Sequence, residues 1–113
     1  MGEMILLLRL KELLTEETRW TQYADARDEE GDPVPHYSVF ACSWCLTGAV
    51  ARIANEHPEV KNGYHRLLSA LNRELRITGH ILDIQEWNDT EDRTYSEVIA
   101  LLDRAIKRVR RKK

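Results

Sequence analysis

The chain has 113 residues, 42% hydrophobic and 32% charged, with a net charge of -2. That length supports one hydrophobic core rather than two, and the balance suits a soluble globular chain rather than a disordered or membrane one. The charge is uneven: seven basic and no acidic residues lie between Arg104 and Lys113, against 10 basic and 19 acidic in the first 103.

Apolar periodicity predicts four helices. The first spans Met4 to Glu17, with Ile5, Leu6, Leu8, Leu10, Leu13 and Leu14 forming a broad face. Its apolar run, Met4 to Leu8, is far short of the about 20 residues a membrane span needs. Glu3, Arg9 and Lys11 also argue against a signal peptide. A cytoplasmic location without membrane contact is therefore expected. So wide an apolar face leaves a homo-oligomer through helix 1 open.

A long connector, Arg19 to Phe40, follows. "DEEGDP" in its middle is a turn signal, and the flanking "TQYADAR" and "VPHYSVF" suggest a short irregular hairpin, weakened by proline. Connections this long in small domains tend to carry function or their own structure.

Helix 2 is expected from Ala41 to Glu56, on the spacing of Cys42, Cys45, Leu46, Ala49, Val50 and Ile53, and His57-Pro58 ends it. Helix 3 is expected from Val60 to Thr78 with Gly79 as its stop. Helix 4 is expected from Tyr95 to Val109, and one helical turn is expected between them at Ile84 to Trp87. The fold class is thus mainly α: one helical domain over residues 1–109 with a hairpin-like connector after helix 1 and a basic tail at 110–113.

The CxxC of Cys42 and Cys45 reads as two small buried hydrophobes on a helical stripe. A redox pair would need a strand-to-helix setting, and a zinc site with His36 and His57 would need a tight turn and a second matched pair. No HExxH, GxSxG or glycine-rich phosphate loop is present, and the acidic cluster Asp25, Asp28, Glu29, Glu30 and Asp32 lacks calcium-loop spacing. No catalytic residue, metal ligand or cofactor is assigned.

The densest polar stretch is "EWNDTEDRTYSEV", residues 86–98. Thr94 and Glu97 have the spacing of a capping box. A cap leaves Trp87, Asn88, Asp89 and Arg93 unexplained. Together with Trp20, Arg27 and Asp28 they form the candidate binding set, because aromatic rings beside a fork of donors and acceptors suit a ligand ring. The alternative is a polar network that pins the two connectors together. Both readings require the Trp20 and Trp87 segments to meet.

"RWTQYADARDEEGDPV", "WCLTGAV", "WND" and the following "RT" resemble a family of small phage, prophage and bacterial proteins, a domain of unknown function. The resemblance covers Leu6 to Ile106. Its motifs are Trp20, Ala26-Arg27-Asp28, Gly31, Cys45, Gly48-Ala49, Trp87-Asn88-Asp89 and Arg93-Thr94; Cys42 lies outside the pattern. It implies a small intracellular protein with a mobile-element connection, and no activity. The expected function is a non-enzymatic interaction protein of phage or prophage type. Its partner is expected to be a protein or a small nucleotide-like ligand, and its role host-defence countering or ligand sequestering. The alternative is a nucleic-acid-associated regulator using the basic tail, which the acidic body disfavours by repelling a duplex.

Overall fold

A computed structural model describes residues 2–111. Its first helix, α1 (Gly2–Leu13), buries Leu6, Leu7 and Leu10, with Leu14 closing its end. Leu10 follows Leu6 by four residues and Leu7 by three, and Leu14 follows Leu10 by four, so all share one face. The remaining apolar residues spread beyond that stripe, and Ile5 and Leu8 stay 50% and 43% exposed.

The long connector carries more order than an irregular loop. One 3-10 turn (Glu17–Arg19) leads to strands β1 (Ala26–Arg27) and β2 (Pro33–Val34) and later to β3 (Ser43–Trp44). The three form an antiparallel sheet in the order β2-β1-β3, with Ala26 opposite both Val34 and Trp44. The expected hairpin is the β1–β2 pair. Its turn is closed by Gly31 at φ 85 and by Asp28 Oδ1, which accepts from the backbone N–H of Glu30 and of Asp32, both at 3.0 Å.

Helix α2 (Leu46–Glu56) starts five residues later than its periodicity implied. Residues 43–44 are drawn into the sheet instead, and Cys45 becomes the N-cap, its sulfur accepting from Gly48 N–H at 3.3 Å. The expectation that both cysteines share a helical stripe is thereby corrected: Cys42 is exposed ahead of β3, and Cys45 is buried at the cap.

Helix α3 (Gly63–Ile77) ends as expected. Gly79, at φ 90, donates to Arg76 O, and His80 donates to Leu75 O, the paired bonds of a Schellman stop. A short helix, α4 (Ile84–Asn88), stands where one turn was expected, capped by Asp83. Among the described residues the count is therefore five helices rather than four. Helix α5 (Tyr95–Arg111) runs through the first two residues of the expected tail, while residues 112 and 113 lie outside the described part.

The capping box at the head of α5 is reciprocal. Thr94 N–H donates to Glu97 Oε1 at 2.9 Å, and Glu97 N–H donates to Thr94 Oγ1 at 3.2 Å. The Thr94 N–H bond, aided by Arg93, holds the Glu97 carboxyl below its ordinary range. A depressed folded-state pKa gives stability that is present above the unfolded value and lost as pH falls through the folded one. Thr94→Ala is expected to cost about 1 kcal/mol. In acid denaturation followed by circular dichroism, Glu97→Gln should flatten the loss of stability below about pH 4.3.

Core residues come from every helix: Leu6, Leu7, Leu10 and Leu14 from the α1 region, Leu46, Val50 and Ile53 from α2, Leu67, Leu71 and Leu75 from α3, and Leu101, Leu102 and Ala105 from α5. Ile84 and Trp87 of α4 and Trp44 of β3 seal the end where the sheet sits. That end carries the candidate site. No helix among the described residues is long and apolar enough to cross a membrane.

Candidate functional site

The sheet delivers the Trp20 segment to α4. Thr21 N–H donates to Trp44 O at 3.0 Å, beside a parallel bridge between Trp20 and Trp44, so residues 20–21 run along the edge of β3. From there Trp20 Nε1 donates to Asn88 Oδ1 at 2.7 Å. The two connectors meet, as both readings of the motif residues require.

Asn88 is the hub. Its Oδ1 also accepts from Leu46 N–H, the first amide of α2, at 3.1 Å. Its Nδ2 donates to Thr21 O at 3.2 Å and to Asp89 Oδ1 at 2.9 Å. The side chain is fully buried and uses both lone-pair sites and both hydrogens. Around it, Gln22 Nε2 donates to the carbonyls of Asn88 and Thr90 at 2.9 and 2.8 Å. Asp89 Oδ1 accepts from Tyr23 N–H at 3.0 Å, which anchors Tyr23 in a left-handed conformation at φ 68 that a bulky residue rarely adopts.

The other motif residues extend the network. Arg27 splays three donors, to Thr21 Oγ1, Gly31 O and Gln22 O at 2.9, 2.9 and 3.0 Å, joining the hairpin turn to the Trp20 segment. Asp28 holds the turn itself. Arg93 donates to Trp87 O at 2.8 Å and lays its guanidinium 4.0 Å from the centroid of the Trp87 ring. That stacking is favourable because the ring face is electron-rich. It matters because Trp87 is only 2% exposed and its Nε1 has no partner among the described residues. The seven candidate residues thus direct their polar groups chiefly at one another and at the backbone.

The β2–β3 loop, residues 35–42, is braced by its own bonds and by its neighbours Arg27, Trp44 and Arg52. His36 O accepts from Trp44 Nε1 and from Arg52, both at 3.1 Å. Within the loop Ser38 N–H reaches Pro35 O, Ala41 N–H reaches Ser38 O, and Cys42 N–H reaches Arg27 O at 2.8 Å. On this braced backbone Tyr37, Val39 and Phe40 stand 67%, 89% and 73% exposed. Val39, Phe40, Ala41 and Cys42 share a cleft of about 430 Å³ with Asp28, Glu29 and Glu30 of the hairpin turn. Apolar side chains therefore face solvent beside an acidic rim.

The two cysteines of the region differ in setting: Cys42 is exposed at the cleft, and Cys45 is buried at the head of α2. Burial pushes the Cys45 thiol up to about 11, against the pull of the Gly48 N–H, so it is a neutral cap acceptor at physiological pH. Among the described residues no three His, Cys, Asp or Glu side chains are grouped to hold a metal. His36 faces Asn55, and His57 faces Glu59.

Sequence reasoning missed Thr21 and Gln22, whose bonds make the network continuous, and it missed the exposed trio Tyr37, Val39 and Phe40. The trio stands beside a proline, in a stretch read as half of a hairpin. Apolar residues in such a stretch look like strand material, and exposure leaves no mark in the sequence.

No curated protein and no solved structure matches this chain. A family model does, over residues 5–108, and its description is a family of unknown function, DUF6197. That match takes in the sheet, the hub and all five helices apart from their outermost residues, and the chain belongs to this family.

Proposed function

We propose that this chain is a non-enzymatic interaction domain that binds a partner protein through the β2–β3 loop. The observation that carries the reading is the exposure of Tyr37, Val39 and Phe40 on a hydrogen-bonded backbone. Large apolar side chains held in solvent usually mark contact surfaces. Aromatic side chains carried on a backbone already ordered before binding spare the cost of ordering that backbone on docking, and so suit anchors. The acidic rim of Glu29 and Glu30 favours a partner with a basic border around an apolar pocket.

In this reading Trp20, Arg27, Asp28, Trp87, Asn88, Asp89 and Arg93 contribute by holding the loop in its presenting shape, with Asp28 at the edge of the contact surface. The resemblance to phage and prophage proteins directs the search for the partner to bacterial host proteins, where a host-defence-countering role would act.

The test is an affinity capture from host lysate with wild-type protein, Val39→Asp and Phe40→Asp as parallel baits. A partner of this surface should remain on the wild type at high salt and be lost from both variants, whose melting temperatures should stay within a few degrees of wild type. Equal retention on all three baits would overturn the reading. So would capture that vanishes with salt alone, because an apolar contact is not screened.

A further inference from the structure

Helix α5 carries a second surface, of opposite charge. Arg104, Lys107, Arg108 and Arg111 of α5 are spaced three and four residues apart, so they form one stripe along the helix. With Glu74 of α3 they line a cleft of about 220 Å³. Glu74 is 1% exposed and is bound by Arg108, which fixes that guanidinium in the wall of the cleft. Four cations against one carboxylate leave the cleft with a net charge of +3.

Structural needs explain only part of this. Arg108 neutralises Glu74, and Arg108 and Arg111 sit in the last turn, where the helix dipole favours cations. Arg104 and Lys107 lie a turn further back, beyond its main reach. Arg104, Lys107 and Arg111 join no ion pair among the described residues, although the chain has 19 acidic side chains. Like charges at these spacings repel. Arg104 Nε is moreover a buried donor with no partner among the described residues. Cations without carboxylate partners that line one cleft leave a positive potential that an anion would neutralise.

We propose that this cleft binds the phosphate groups of a small soluble polyphosphate ligand. Guanidinium forks match phosphate oxygens in pairs. The helix C-terminus opposes an anion with about half a charge, well below the +3 of the cleft. The first 103 residues hold 19 acidic and 10 basic side chains. A nucleic-acid duplex reaching past the cleft would run over that negative body, whereas a compact polyphosphate would not.

Calorimetric titration with tripolyphosphate, with ATP and with a short DNA duplex at moderate salt tests this. Tripolyphosphate and ATP should each saturate at one molecule per chain. Arg104→Gln and Lys107→Gln should each weaken both by about tenfold, the loss expected for one charge-assisted hydrogen bond. Arg110→Gln, off the stripe, should change either by no more than about twofold. Lys107 is exposed, so its variant keeps the fold even if the Arg104 variant does not. The proposal is overturned by an absence of saturation with tripolyphosphate, or by an Arg110→Gln loss equal to that of Lys107→Gln, which would mean unspecific attraction. Tighter binding of the duplex than of tripolyphosphate would also overturn it.

Discussion

Asn88→Ala is expected to lower the stability of the fold by about 3 kcal/mol, the loss for two buried donors left without acceptors. The substitution strips partners from Trp20 Nε1 and from the first amide of α2, and it releases Thr21 O and Asp89 Oδ1. Water cannot easily replace the side chain, because the site is closed to solvent. Urea unfolding followed by tryptophan fluorescence measures the loss directly, since Trp20, Trp44 and Trp87 all surround the hub or the strand beside it. The midpoint should fall while the slope stays constant. A shift equivalent to less than about 1 kcal/mol, the worth of a single ordinary hydrogen bond, would mean that the four bonds of Asn88 are dispensable.

Gly48→Ala should be comparably severe, for a different reason. A β-carbon at this position would overlap the carbonyl oxygen of Asp25, and it would lie 2.8 Å from the carbonyl carbon and 3.1 Å from Cα. The obstruction is backbone, so no rotamer change relieves it. Nor can the segment step aside: Asp25 O accepts from Cys45 N–H at 3.1 Å, in the strand pairing that holds β1 to the start of α2. Overpacking of this kind costs about 3 kcal/mol. For a domain of this size that is a fall in melting temperature of more than about 10 °C, readable by differential scanning fluorimetry. Gly31 and Gly79 have open space around them, and alanine there meets only the strain of a positive φ. An alanine at 48 milder than one at 31 would contradict this account of the close approach.

Much of the helical frame was legible because its cause is local. Leucines at helical spacing, the Thr94–Glu97 box, the His57-Pro58 stop and the Gly79 stop each act within a few residues of themselves. Helix ends governed by tertiary pairing were not legible. Cys42, Cys45 and Ala49 have helical spacing, yet residues 43–44 join the sheet because Ala26 and Arg27 stand ready to pair with them. A strand of two residues has no alternation to detect, so β1 and β2 showed only through their turn, and β3 not at all.

The candidate site divides in the same way. The unusual density of polar and aromatic residues around Trp87 was visible, and the meeting of Trp20 with Asn88 followed from asking what such residues need. Thr21 and Gln22 were invisible: Thr21 is used largely, and Gln22 partly, through the main chain, whose bonding leaves no trace in residue type. The exposed loop and the cationic stripe likewise depend on which way a side chain points once the core has closed. Leu8 makes the same point in α1, where an apolar residue taken for core stands 43% in solvent.

The hub has a kinetic corollary. Its bonds join the Trp20 segment to Asn88 across 66 to 68 positions of chain, and Leu46 to Asn88 across 42. Closing loops that long costs chain entropy before the bonds return any of it, as it does for the pairing of α1 with α5. The Tyr37–Phe40 loop does not wait on that closure, since its bonds run to Pro35, Ser38, Arg27, Trp44 and Arg52, all within 16 positions of chain. Until the hub closes, the Trp20 indole N–H and the first amide of α2 must both be served by water, so the sheet end stays unsealed in any half-folded chain.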